Sequence, residues 1–220
     1  MARKTKAEAE TTRTKLLDAA EILFSARGVT NTSLADIATA AGMTRGAIYW
    51  HFKNKVDLFK ALHERIRLPV AAIESAAMAG PDPVIGLRDY WTETLLKIVH
   101  DEQHHRIVDI LFRKCEYVGD YQAMSIHINE WISEIVEAMT RVYAKAEINN
   151  GLPPGLTPES AARATFSMVS GIIITWLTIP QLYGSDDDIV DTVTAFFNSL
   201  IISQPAPAPC CTKLIKGRGY

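Results

Sequence analysis

Apolar residues recur along the chain at spacings of three and four, and no run alternates apolar with polar positions between hairpin turns. That period belongs to α-helices buried by one face, so an all-α fold is predicted. A first helix is expected over Thr11–Arg27, with Leu16, Ala20, Leu23 and Phe24 on one stripe and Gly28 as its stop. Ser33 with Asp36 three residues later has the spacing of a capping box and opens a short helix over Leu34–Ala41, ended by Gly42. Thr44 caps a second short helix, Arg45–Phe52. A longer one starts near Lys55, carries Leu58, Phe59, Leu62 and Ile66, and must end or kink at Pro69.

Gly80-Pro-Asp-Pro marks a junction, and further amphipathic helices follow. One runs through Val84, Leu87, Trp91, Leu95 and Ile98, the next spans His105 to Glu116, and a long one carries Tyr121, Met124, Ile128, Trp131, Ile135, Met139, Val142 and Ala146. Thr157-Pro158 opens a helix that is apolar on nearly all sides from Phe166 to Leu177, and Asp186–Asp188 start a last one reaching Leu200. The expected organisation is 1–54 as a helix-turn-helix domain, 55–79 as a linking helix, 80–203 as a ligand-binding and dimerisation domain, and 204–220 as a disordered tail.

The two short helices around Gly42 carry the functional argument. Ala38 is small where they cross, Gly42 relieves the tight turn, and Ile48 holds the second helix down, which is the logic of a helix-turn-helix. At about 100° per residue, Ile48 and Phe52 share the inward face, while Gly46 and Trp50 point away, flanked by Tyr49 and His51. Arg45 is placed for a guanine edge or a phosphate, Gly46 for close backbone approach, and Tyr49 and Trp50 for sugar or thymine methyl. Thr44 lies at the start of that helix, where free N–H groups suit a phosphate, and His51, Lys53, Lys55, Thr32 and Ser33 are further candidates for the backbone. Arg3, Lys4 and Lys6 form a basic arm for the backbone or a minor groove.

Charge sharpens this picture. The 220 residues carry a formal charge of −2, yet residues 1–67 hold 12 Lys and Arg against 7 Asp and Glu, a balance of +5, and the rest hold 11 against 18, a balance of −7. A basic first third on an acidic remainder fits a nucleic-acid module joined to something else. With 48% hydrophobic and 22% charged residues the chain falls in the globular class. No uninterrupted apolar run of about 18 residues and no signal-peptide core is present, so no membrane partner and a cytoplasmic location are expected. Three cysteines are no disulfide framework.

Thr32-Ser-Leu-Ala-Asp-Ile-Ala38, Ala41-Gly42 and Thr44-Arg-Gly-Ala-Ile-Tyr-Trp-His-Phe-Lys-Asn-Lys55 resemble the tetracycline-repressor (TetR) family of one-component regulators. Ala2-Arg-Lys-Thr-Lys6 and Ile110-Leu-Phe-Arg-Lys-Cys-Glu116 are similar to its multidrug-efflux-repressor branch, the AcrR-like proteins. The resemblance implies an all-helical homodimer whose first three helices bind a palindromic operator. It further implies a fourth helix that links and a remainder that holds a hydrophobic effector, with the last two helices packed against their dimer mates. Independently, a helix apolar all round must be covered on both sides.

Trp91, Leu95, Phe112, Trp131, Ile135, Met139, Phe166, Ser170 and Ile174 are the candidate effector contacts, since aromatic and thioether side chains suit adaptable apolar recognition. The expected function is a ligand-responsive repressor: control of an efflux operon first, a same-family regulator answering a fatty acid or signal molecule second, and a helical adaptor that binds no DNA third. No phosphate loop, metal motif or nucleophile–base pair marks an enzyme, and no cofactor or metal is expected. His104-His105 read as a solvated helix start, Asp186–Asp188 as helix capping, and Cys115 as a buried, inert thiol.

Overall fold

The computed structural model describes residues 6–67, 69–149 and 152–201. Arg3, Lys4 and the segment 204–220 lie outside the described residues. The described chain forms α1 (Lys6–Arg27), α2 (Leu34–Ala40), α3 (Arg45–His51), α4 (Lys55–His63), α5 (Val70–Ala77), α6 (Pro83–His100), α7 (Glu102–Arg113), α8 (Gln122–Asn149), α9 (Pro158–Thr178) and α10 (Asp186–Asn198). There is no strand among the described residues, so the fold is all-α.

Most helix ends follow local signals. Ser33 and Asp36 form the reciprocal capping box of α2, Thr44 accepts the Ala47 N–H at the start of α3, and Thr157 with Pro158 opens α9. Gly28 and Gly42 turn the chain with φ of +82° and +68°, a region that costs a side chain energy and glycine little. Four boundaries differ from the sequence expectation by three residues or more, one of them the end of α7, at Arg113 rather than Glu116. α1 begins five residues early, at Lys6 rather than Thr11, because its first turns are helix-forming Ala and Glu without an apolar stripe. α7 begins at Glu102 rather than His105, since Asp101 caps it by accepting the His104 N–H. The expected linking helix over 55–79 is two helices: α4 closes in a turn after His63, and Pro69, which has no N–H to donate, caps the start of α5.

A single continuous apolar core runs through both halves. Leu16, Ala20, Phe24, Ile37, Ile48 and Phe52 knit α1–α3 together, and Phe59 and Leu62 carry α4 onto them. Beyond α4, α8 packs along α5, α6 and α9, and α6 lies between α5, α7 and α10. α5 and α6 approach so closely at Gly86 that a Cβ there would sit 2.7 Å from the Ala77 carbonyl oxygen, so the crossing needs a residue without a side chain. Tyr143, buried between α8 and α9, keeps its hydroxyl satisfied by Thr165 at 2.6 Å. α9 is long and apolar enough to cross a membrane by length and composition, a match the interrupted run Phe166–Pro180 did not suggest.

Candidate nucleic-acid interface and effector cavity

α3 sits on α1 and α2 by Ile48, with Phe52 buried just past its end, and this anchoring decides what faces outward. Tyr49 is 47% and Trp50 72% exposed, large aromatic side chains that a soluble surface rarely displays side by side. The Arg45 guanidinium lies over the Tyr49 ring, 5.7 Å from its centroid, and Trp50 meets His51 edge to face at 4.5 Å. Arg45, Gly46, Lys53 and Thr44 are exposed on the same end of the molecule, and Lys6 is exposed at the start of α1. Thr44 spends one lone pair on the Ala47 N–H at 3.2 Å.

Three sequence candidates direct their polar groups to the protein's own backbone and side chains. The Lys55 ammonium donates to the carbonyls of Val29 (2.7 Å), Thr30 (3.2 Å) and Thr32 (2.7 Å) and lies 5.0 Å from the centre of the Tyr121 ring. Its three N–H groups match three carbonyls of the α1–α2 loop that no helix satisfies, so its charge is a structural clamp. Thr32 is buried, and its hydroxyl donates to the Gly28 carbonyl at 2.9 Å. Ser33 is exposed, but its hydroxyl donates to Asp36 Oδ2 at 2.6 Å while accepting the Asp36 N–H. The Ser33 hydroxyl, and then the Ser33 N–H, hold the Asp36 carboxyl below its ordinary range.

The second site is a cavity of about 280 Å³ lined by α6, α7, α8 and α9, with Ile73 of α5 and with Ile66 and Tyr117 from the segments after α4 and α7. Of the nine expected contacts, Trp91, Phe112, Trp131, Ile135, Phe166 and Ser170 line it. Leu95, Met139 and Ile174 do not. Leu95 is buried in α6, a helix that packs on α10 as well as on the cavity helices, so its wide apolar face serves two neighbours. Met139 is buried one turn beyond Ile135, where α8 packs directly on its neighbours. Ile174 follows the lining residue Ile173 by about 100° of helix rotation and is 47% exposed.

Sequence reasoning missed Ile66, Tyr90, Thr94, Lys97, His104 and Tyr117, which also line the cavity. Thr94 and Ile98 continue the Trp91 face of α6 at spacings of three and four, a signal that was available; Tyr117, in the irregular segment after α7, had none. No carboxylate lines the cavity, and its charged side chain is Lys97. Burial pushes the Tyr90 phenol up to about 12, against the opposing pull of Thr94, so it stays protonated.

The two sites are joined by a compact set of contacts. The Val29 N–H donates to the Lys114 carbonyl at 2.9 Å. Phe59 of α4 meets Tyr117 edge to face at 6.3 Å, and Tyr117 reaches the cavity. The buried Glu21 carboxylate accepts from Arg106 at 2.7 Å, Gln103 at 3.3 Å and Arg65 at 3.4 Å, tying α1 to α7 and to the end of α4. On the other side of α4, the fully buried His63 packs edge-on to Trp131, a cavity wall, with ring centres 4.6 Å apart. Burial first, then His127 and Arg67, pull the His63 imidazole down to about 4.

An outward aromatic helix on a helix-turn-helix, joined through a short connector to an apolar cavity, has the architecture of a one-component regulator. Comparison with known proteins agrees in both halves. Residues 16–62 match the family model described as bacterial regulatory proteins, tetR family, and residues 82–201 match the MAATS-type transcriptional repressor, C-terminal region. The chain belongs to the TetR family. It is 35% identical over 205 residues to the HTH-type transcriptional regulator AcrR of Shigella flexneri, covering 92% of this chain and 95% of the relative. Among solved structures it resembles NalD, the secondary repressor of the MexAB-OprM multidrug efflux pump in Pseudomonas aeruginosa, with a TM-score of 0.83 and 34% identity over 89% of this chain and 98% of that one. It also resembles the triclosan complex of SmeT from Stenotrophomonas maltophilia, with a TM-score of 0.79 and 28% identity over 90% and 99% of the two chains.

Proposed function

We propose that the protein is a ligand-responsive transcriptional repressor of a multidrug efflux operon, binding a palindromic operator as a homodimer and released by apolar effectors. The observation that carries this is the pairing of Tyr49 and Trp50, exposed on α3, with an apolar cavity behind the same α4 connector. Residues 1–54 act as the DNA-binding domain, and 80–203 as the effector and dimerisation domain. Arg45 and Gly46 approach base edges, Tyr49 and Trp50 pack on sugar or thymine methyl, and Thr44, His51, Lys53 and the arm of Arg3, Lys4 and Lys6 meet the backbone. Exposed Ile174, Ile179 and Leu182 on and after α9 support a partner covering that face. The protein acts in the cytoplasm, where the operator is.

Control follows from linkage. Effector and operator favour different placements of α3 in the dimer, so each lowers the affinity for the other by the same factor. The effector meets a wall without carboxylates, which favours neutral or acidic apolar compounds over cationic ones. The test is fluorescence anisotropy with labelled DNA from beside the protein's own gene, titrated with triclosan, the compound that SmeT binds. Tight, salt-sensitive binding weakened by the effector is expected. Affinity unchanged at effector saturation would refute release by that class of ligand.

A further inference from the structure

Where α4 ends against α8, donors from two helices converge. His63 Nδ1 lies 3.1 Å from His127 Nε2, and Glu64 Oε1 lies 4.0 Å from that same nitrogen. All three residues place a ligand atom within 4.8 Å of the others. Zinc bonds of about 2.0–2.2 Å put tetrahedral ligand atoms roughly 3.3 Å apart. The two imidazoles already stand near that separation, and Glu64, half-exposed at the helix end, closes the remainder by a change of rotamer. In doing so it leaves Arg67, which it meets at 3.3 Å, and Arg67 keeps its second carboxylate partner, Glu134, at 2.5 Å.

The His63 ring has a second feature. Its Nε2 is buried without a hydrogen-bond partner. Coordination through Nδ1 fixes the proton on Nε2, the same tautomer that accepting from His127 Nε2–H gives in the metal-free chain. In the metal-free chain an N–H···N hydrogen bond joins the same two imidazoles.

We propose that His63, Glu64 and His127 bind a zinc-like divalent cation, with water as the fourth ligand, and that this ion pins the end of α4 to α8. Two imidazoles and a carboxylate with one open position are a donor set that zinc accepts. Because α4 follows the recognition helix directly and His127 stands one turn from the cavity wall at Trp131, the bound ion acts as a second effector on operator affinity. Only this last consequence rests on the proposed repressor function.

The test uses the full metal-stripped chain, titrated with Co²⁺ and followed by its visible ligand-field absorption, with Zn²⁺ as competitor. The wild type is expected to bind one equivalent per chain more than His127→Ala, and Glu64→Gln to weaken that equivalent at least tenfold. Cys210, Cys211 and the other histidines are common to all three proteins, so their binding cancels in the difference. His127→Gln, which retains a hydrogen-bonding side chain, must lose the equivalent as well, and thermal melting confirms that each variant is folded. Equal stoichiometry and affinity in wild type and both His127 variants overturns the site. A Zn²⁺ effect on operator affinity that persists in His127→Ala overturns the coupling. Absence of operator binding with and without metal refutes the repressor reading and leaves the cobalt result standing.

Discussion

In α3 the residues assigned to recognition are those the core rejects: Tyr49 and Trp50 are exposed because Ile48 and Phe52 occupy the inward positions. In α6–α9 the opposite holds. Trp91, Ile135 and Val169 are buried like core residues, and what distinguishes them is a void of about 280 Å³ beside them. A display surface follows from one helix and its anchor. A cavity follows from the failure of several helices to fill the space between them, which no single helix reveals. The head therefore presents function as exposure, and the larger region presents it as incomplete packing.

That contrast can be broken first at the operator. Arg45→Ala with Tyr49→Ala should lower operator affinity about 100-fold, or roughly 3 kcal/mol, with the melting temperature little changed, since both side chains are exposed. Lys55→Met separates display from structure within the head. Removing the ammonium from the Val29, Thr30 and Thr32 carbonyls, of which Val29 keeps the Thr32 N–H and Thr30 meets solvent, should cost about 2 kcal/mol in urea unfolding, with the salt dependence of the residual DNA binding unaltered. A reduced salt slope and an unchanged melt would return Lys55 to the DNA surface.

In the larger region, Gly86→Val should destabilise by roughly 1–3 kcal/mol, because the new side chain meets Ala77 backbone rather than a movable side chain. Ser170→Phe fills the cavity instead. It should weaken the proposed apolar effector, with triclosan as the probe, about tenfold or roughly 1.4 kcal/mol by calorimetry, and leave operator binding intact. The smallest expected signal is chemical. Burial pushes the Cys115 thiol up to about 11, so its reactive thiolate is scarce below that pH and increases as pH rises through it. With Cys210 and Cys211 replaced by Ser, iodoacetamide at about pH 8 should label the folded chain far more slowly than the urea-unfolded chain. Equal rates would show an accessible, reactive thiol.

The helical architecture, the capping box at Ser33 and Asp36, the turn at Gly42 and the outward set on α3 were all readable along the chain. Each depends on contacts within a few residues: a cap, a positive φ, or a stripe repeating every three or four positions. Lys55 escaped that kind of inference because its partners, the Val29, Thr30 and Thr32 carbonyls, lie over twenty residues earlier. Leu95 and Met139 fit the apolar pattern as well as Trp91 and Ile135 do, yet they pack against neighbours while the others border space. Periodicity reports which side of a helix leaves water. Whether that side meets a close-packed neighbour or an unfilled volume depends on how distant helices cross, and so the cavity, the Lys55 clamp and the meeting of His63 with His127 exist only in the assembled fold.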